Sequence, residues 1–120
     1  MAKKAGIYRN AADLTEGQAG LAELKARYKR LKIKDKSQAF NTELTTALEL
    51  GNLLDLAEIV VEGALVRQES RGSHYREDFP QRNDKDWLVH TVATRGRDER
   101  PVLHFEPVKI TQFQPEARTY

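Results

Sequence analysis

The sequence predicts a mainly helical domain with a small β appendage. Two long segments, 11–31 and 41–70, repeat apolar residues at helical spacing. A β-branched stretch, Val89, Thr91 and Val92, is followed by a glycine-bearing charged turn and a second strand-like run. Between them lies a polar segment of high charge density. The expected organisation is one domain over 1–120. Its helical part covers about 10–72, and a polar loop with a β-hairpin or extended tail covers about 73–120.

Bulk composition narrows the function classes. The chain has 120 residues, 39% hydrophobic and 32% charged, which fits one modest core under a well-charged surface. A net charge of +2 is too small to indicate nucleic acid by itself. There is no cysteine, so disulfides, thiolate catalysis and cysteine-held metals or iron–sulfur clusters are excluded for this chain. No apolar run approaches the roughly 20 residues of a spanning helix. The basic start is not followed by an apolar signal core. A soluble, cytoplasmic chain is expected.

Gly6-Ile-Tyr-Arg9 reads as an extended lead-in, and Asn10 as a helix cap. The first helix is expected from Ala11 to about Leu31, with Leu14, Leu21, Leu24, Tyr28 and Leu31 along one face. Gly17 and Gly20 each weaken it by about 1 kcal/mol relative to alanine. Lys25, Arg27, Lys29 and Arg30, with Lys32, Lys34 and Lys36 beyond, form the one basic run. It reads as a solvated face and loop before it reads as an anion site.

The second helix is expected to start near Asn41 or Thr42 and to end at or after Ser70, with Gly72 as a left-handed stop. Leu44, Leu48, Leu53, Leu54, Leu56, Ile59, Val60, Val61 and Leu65 are more than one face requires. Such a helix is buried on several sides and central, with Gly51 and Gly63 allowing close packing. Some of its apolar surface is expected to meet a partner. Trp87–Thr94 reads as strand or short helix. Arg95–Arg100 reads as a turn, and Val102–Ile110 as a second strand.

The three histidines lack short metal-ligand spacing. His90 and His104 could approach each other across the hairpin, but without a third ligand. No nucleophile elbow, P-loop or dinucleotide fingerprint is present, and Gly17-Gln-Ala-Gly20 lies within a helix. No catalytic, cofactor-binding or metal residue is expected in this chain. The segment Arg67–Pro80 stands apart, with three arginines, three acids, a histidine and a tyrosine. Arginine forks pair carboxylates with two parallel hydrogen bonds, either inside the chain or across an interface.

That segment carries a resemblance. Glu69-Ser-Arg-Gly-Ser-His74, Tyr75-Arg-Glu-Asp-Phe-Pro80, Asp84 and Trp87-Leu-Val-His-Thr91 resemble the C-terminal domain of the succinate dehydrogenase/fumarate reductase flavoprotein subunit. Ser73 stands where alanine is usual, and Val89 where lysine is usual. Gly6–Arg9, Phe40–Leu44, Ala47–Leu54, Ala57-Glu58, Pro107-Val, Thr111, Pro115 and Arg118-Thr-Tyr120 extend the likeness over nearly the whole chain. The tryptophan-leucine-x-histidine-threonine run favours this family over L-aspartate oxidase.

The resemblance implies a small helical bundle of the spectrin-repeat-like three-helix type with an extended tail. Its third helix would have to be short, somewhere beyond about Phe40 or within 83–93. It also implies a fragment of a longer flavoprotein, inactive alone, which packs on the FAD-binding domain of the same polypeptide. The full protein would interconvert succinate and fumarate through FAD. Electrons would pass to an iron–sulfur subunit and a membrane anchor, with the complex peripheral on the cytoplasmic face of the membrane. Glu69, Ser70, Arg71, His74, Tyr75, Arg76 and Asp78 are the inter-domain interface candidates. The alternative is a standalone interaction module that binds a protein or anionic partner through Lys25–Lys36, with nucleic acid disfavoured by the interleaved acids.

Overall fold

A computed structural model describes residues 1 and 3–116. The tail motif Arg118-Thr-Tyr120 lies outside the described residues. The element order is β1 (Tyr8–Arg9), α1 (Ala11–Tyr28), α2 (Thr42–Val66), β2 (Tyr75–Arg76), α3 (Asp84–Trp87), β3 (Val89–Arg95) and β4 (Pro101–Pro107). This is a mixed α/β domain. β1 and β2 form a short parallel pair, and β3 and β4 an antiparallel hairpin.

The two long helices begin as their sequences dictate. The Asn10 side chain accepts the Asp13 amide, and the Asn41 side chain accepts the Leu44 amide, each at 2.8 Å. The helices pack antiparallel. Gln18 of α1 meets Glu62 of α2, Lys25 meets Glu58 and Asp55, and Tyr28 lies over Gly51. A Cβ on Gly51 would sit 2.5 Å from the Tyr28 hydroxyl oxygen, so the ring occupies the space that glycine leaves. Leu14, Leu21, Leu54, Val61 and Ala64, with Ala5 from the lead-in, make the core. Tyr28, Ala57 and Leu65 pack against it.

Four expectations change. α1 stops at Tyr28 rather than Leu31, and Leu31 remains half exposed. α2 stops at Val66, four residues short of Ser70. Arg67 turns extended there (ψ 106°) and sends its side chain to β3. Gly72 does adopt a left-handed φ of 58°, but in a tight Arg71–His74 turn and not at a helix end. The expected short third helix falls within 83–93 as the single turn Asp84–Trp87, which is too short to complete a bundle of the three-helix type. Asp84-Lys-Asp86 has no apolar stripe to bury, and the β-branched residues after it go into the hairpin instead. That hairpin takes the third helix's place beside α2, with the Thr91 methyl 3.9 Å from where a Cβ on Gly63 would be.

α2 is central but is not buried all round. Leu54, Val61 and Ala64 are enclosed, whereas Leu44, Leu48, Leu53, Leu56 and Val60 are exposed. Leu53, Leu56 and Val60 follow three-four spacing and form one open stripe. Leu14→Ala should lower the unfolding free energy by about 2–5 kcal/mol, since Leu14 is fully buried. Leu53→Ala should change it by less than about 0.5 kcal/mol. Urea unfolding of the two variants checks the contrast.

Candidate interdomain interface

The Arg67–Pro80 segment is held by the ends of both helices. β1 and β2 place Tyr8 beside Tyr75 and Arg9 beside Arg76. Arg76 is 1% exposed. Its Nη1 donates to the carbonyls of Ala64, Leu65 and Arg67 at 2.7, 3.0 and 3.0 Å. The last carbonyls of a helix lack intrahelical partners and carry partial negative charge. α2 has no basic residue in its own last turn, and Arg76 supplies the cation from elsewhere in the chain.

The other edge of the same guanidinium grips Asp78, with Nε and Nη2 at 2.7 and 2.8 Å from the two carboxylate oxygens. Asp78 Oδ2 also accepts the Ala11 amide at 3.1 Å, one of the free donors at the start of α1. The Arg76 guanidinium, aided by that amide, holds the Asp78 carboxyl down at about 2. One Arg–Asp pair thus ties the negative end of α2 to the positive end of α1. Glu77 adds to it by accepting from the Asn10 side chain at 3.0 Å.

A second cluster ties the segment to the β arm. Glu69 has no exposed surface. It accepts from Arg67 Nη1 at 2.5 Å, Arg71 Nε at 2.8 Å, Arg71 Nη2 at 3.0 Å and the Asn83 amide at 2.9 Å. Burial pushes its carboxyl up, but the bonds from Arg71, Asn83 and Arg67 outweigh burial and leave it below the ordinary range. Arg67 continues to the carbonyls of Trp87 and Val89 and to the Thr91 hydroxyl, and it stacks on the Trp87 ring at 5.1 Å. Trp87 in turn meets Phe105 edge-on at 5.5 Å. Arg71 reaches Asp84 at 2.7 Å. Arg82 and Arg71 together hold the Asp84 carboxyl at about 2.

Ser70 Oγ accepts the Arg76 amide and donates to the Phe79 carbonyl, each at 2.9 Å. Tyr75 lies edge-on to Tyr8 at 5.5 Å and remains partly exposed. His74 Nδ1 lies 2.6 Å from Arg9 Nη1. Arg9 can only donate, so Nδ1 accepts and the ring proton sits on Nε2, which is buried without a hydrogen-bond partner. Burial, then the charges of Arg9, Arg76 and Arg67, push the His74 pKa below 6.5.

All seven candidates fall in one connected region. Two of them cannot touch a neighbour directly: Glu69 and Arg76 are closed inside the chain and act by positioning the rest. Arg9, Arg82 and Asn83 also belong to the region, although sequence spacing does not announce them. The signal for Arg9 would have been the two-residue parallel pairing, which has no sequence period. His90 and His104 face Glu106 and Val92 across the hairpin, not each other. Among the described residues no group of three His, Cys, Asp or Glu could hold a metal.

The described structure defines a small mixed α/β domain, locked by buried ion pairs and carrying an exposed apolar stripe. The chain belongs to the family described as fumarate reductase flavoprotein C-term, whose family model matches residues 1–120. It corresponds to the C-terminal part of succinate dehydrogenase and fumarate reductase flavoprotein subunits. It is 42% identical over 120 residues to the fumarate reductase flavoprotein subunit of Haemophilus influenzae, covering 100% of this chain and 20% of that protein. It is 43% identical over 117 residues to the succinate dehydrogenase flavoprotein subunit of Rickettsia conorii, covering 98% of this chain and 20% of the relative. A solved Escherichia coli quinol fumarate reductase chain superposes with a TM-score of 0.90 at 39% identity, over 97% of this chain and 20% of that one. The chain therefore spans about a fifth of the length of the relatives it matches.

Arg76→Met should lower stability by about 3–5 kcal/mol, because it strips the α2 carbonyls and leaves Asp78 without its partner. Asp78→Asn should cost about 1–2 kcal/mol. A double-mutant cycle between these positions should show a coupling above about 1 kcal/mol.

His74 gives a pH dependence. A base whose folded pKa is lowered binds fewer protons folded than unfolded. Its contribution is intact above 6.5 and is lost as pH falls through the folded value. Thermal melts from pH 7.5 to 5 should show a fall in Tm that His74→Gln removes. The losses from Asp78 and Asp84 set in lower, as pH falls from about 5 through 3.8 toward about 2.

Proposed function

We propose that this domain is the part of a succinate dehydrogenase/fumarate reductase flavoprotein that packs on the FAD-binding domain of the same polypeptide. The observation that carries this reading is the apolar stripe Leu53, Leu56 and Val60, at 61%, 59% and 45% exposure on an otherwise folded chain. A stripe of that kind is normally covered by another body. The relatives' extra length supplies one, since each is about five times longer than the matched region.

The exposed parts of Tyr75, Arg71 and Asp78, braced from behind by Arg76 and Glu69, form a polar margin to the contact. Ser70 and His74 set the shape of the turn behind it. In the whole protein, FAD would carry the succinate–fumarate hydride transfer. Electrons would leave through an iron–sulfur subunit toward a membrane anchor, with the complex peripheral on the cytoplasmic face. No described helix is long and apolar enough to cross a membrane. The domain's role is to hold its flavin-bearing neighbour in place, without supplying catalytic residues or a cofactor site. Nothing among the relatives favours a standalone module working through Lys25–Lys36.

The purified 120-residue chain should show no flavin absorbance and no succinate–fumarate activity. Stoichiometric FAD in that preparation would sink the proposal. In the full-length protein, Leu53→Glu with Leu56→Glu should lower Tm and activity together. In the isolated chain the same pair should shift stability by less than about 1 kcal/mol.

A further inference from the structure

The lead-in to α1 is pinned at two points, and the stretch between them is braced by a contact that depends on protonation. Lys4 Nζ pairs with Asp13 and Glu16 of α1 at 2.8 and 2.7 Å, and Ala5 belongs to the core. Further on, Asn10 caps α1. Residues 6–9 lie between these anchors and meet β2 through the two-residue ladder. The Tyr75 amide donates to the Ile7 carbonyl at 3.1 Å, and the Glu77 amide to the Arg9 carbonyl at 2.8 Å. The Arg9 side chain holds this stretch in shape. Its Nε donates to the Gly6 carbonyl and its Nη1 to His74 Nδ1.

The bond to His74 exists only while the ring is neutral. A guanidinium has no acceptor, and neither has a protonated imidazole. A second ring proton goes to Nδ1, so donor then faces donor, and cation faces cation, across 2.6 Å. The charges acting on the ring from the elements around it are all positive: Arg9 on β1, Arg67 after α2 and Arg76 on β2. The carboxylates of the segment are engaged elsewhere. Glu69 is held by Arg67, Arg71 and Asn83, Asp78 by Arg76, and Glu77 by Asn10. The Arg67 backbone favours a charged ring, but burial and Arg9 outweigh it. Nε2 has no hydrogen-bond partner through which to share the charge.

His74 is the fixed member of the pair. Its backbone closes the Arg71–His74 turn with reciprocal bonds of 2.8 and 3.0 Å. Arg9 sits on a strand of two residues and is the member free to part. We infer that Arg9 and His74 form a pH-sensitive latch. It is closed on the neutral ring, and protonation of the ring opens it and releases residues 6–9 from β2 while α1 and α2 stay folded. The chain matches the C-terminal part of longer relatives. On the proposed reading of the chain as part of such a flavoprotein, the latch sets how firmly the domain grips the polypeptide that leads into it.

Hydrogen–deuterium exchange of the full-length flavoprotein at pH 7.5 and 5.5, read by mass spectrometry and corrected for the pH dependence of chemical exchange, tests the latch. Once open, the ring returns to its ordinary 6.5 and binds more protons than when closed, so opening gains as pH falls. At pH 5.5 the gain is at most about tenfold. Protection of the Tyr75 and Glu77 amides should therefore drop about threefold to tenfold, with less than about twofold change in α1 and α2. His74→Asn keeps an acceptor near the Nδ1 position without titrating. Arg9→Gln keeps a donor, and its amide oxygen can accept from a protonated ring. Each should hold the pH effect below about twofold. Unchanged protection at 75 and 77, a loss shared equally by the long helices, or a pH effect that survives in both variants would each overturn the inference. Stoichiometric FAD on the isolated chain would count against the proposed function and leave this measurement untouched.

Discussion

The structure depends on the two edges of one guanidinium. Arg76 turns Nη1 toward the last carbonyls of α2, and Nε with Nη2 toward Asp78, whose second contact is the first amide of α1. A lysine has a point charge and could not serve both directions at once. The antiparallel helix pair has little core to hold it, and its two dipoles end side by side at this point. A buried ion pair is weak support when it stands alone. Here each partner also satisfies helix-end groups that would otherwise lack hydrogen bonds, so desolvation is offset on both sides.

Glu69 repeats the pattern one step along. Four donors converge on a carboxylate with no exposure, and they come from three places in the chain: Arg67, Arg71 and Asn83. Through Arg67 the same cluster fixes Trp87 and the start of β3. The dense polar segment is therefore a junction between the helical and β parts. Its chemistry is structural because nearly every charge in it is already paired within the chain. Beyond it, the α2 stripe of Leu53, Leu56 and Val60 is left open on the surface.

The long helices, the Asn10 cap and the hairpin were legible in the sequence, because each rests on local periodicity or on one residue's hydrogen bond. The family was legible too, through ordered motifs such as Glu69–His74 and Trp87–Thr91. Helix ends were less so. Leu31 continues the apolar pattern of α1 but lies beyond its end, half exposed. The segment after Val66 has acceptable helix formers, yet Arg67 is drawn toward Trp87 and Val89. The third helix, expected to be short, stays at one turn because Asp84–Trp87 carries too few apolar residues to extend further, and the β-hairpin stands where a bundle would need a longer helix.

The sequence by itself determined the periodic elements, the lack of any cysteine chemistry and the concentration of charge at Arg67–Pro80. Only the tertiary structure decided which charges pair. Arg9 and His74 are 65 residues apart and Ala11 and Asp78 are 67 apart. Their meeting depends on the α1–α2 antiparallel turn and on the two-residue ladder of β1 with β2. A hydrogen bond is selected by position and angle at a few ångströms, and no local spacing in a chain encodes that distance.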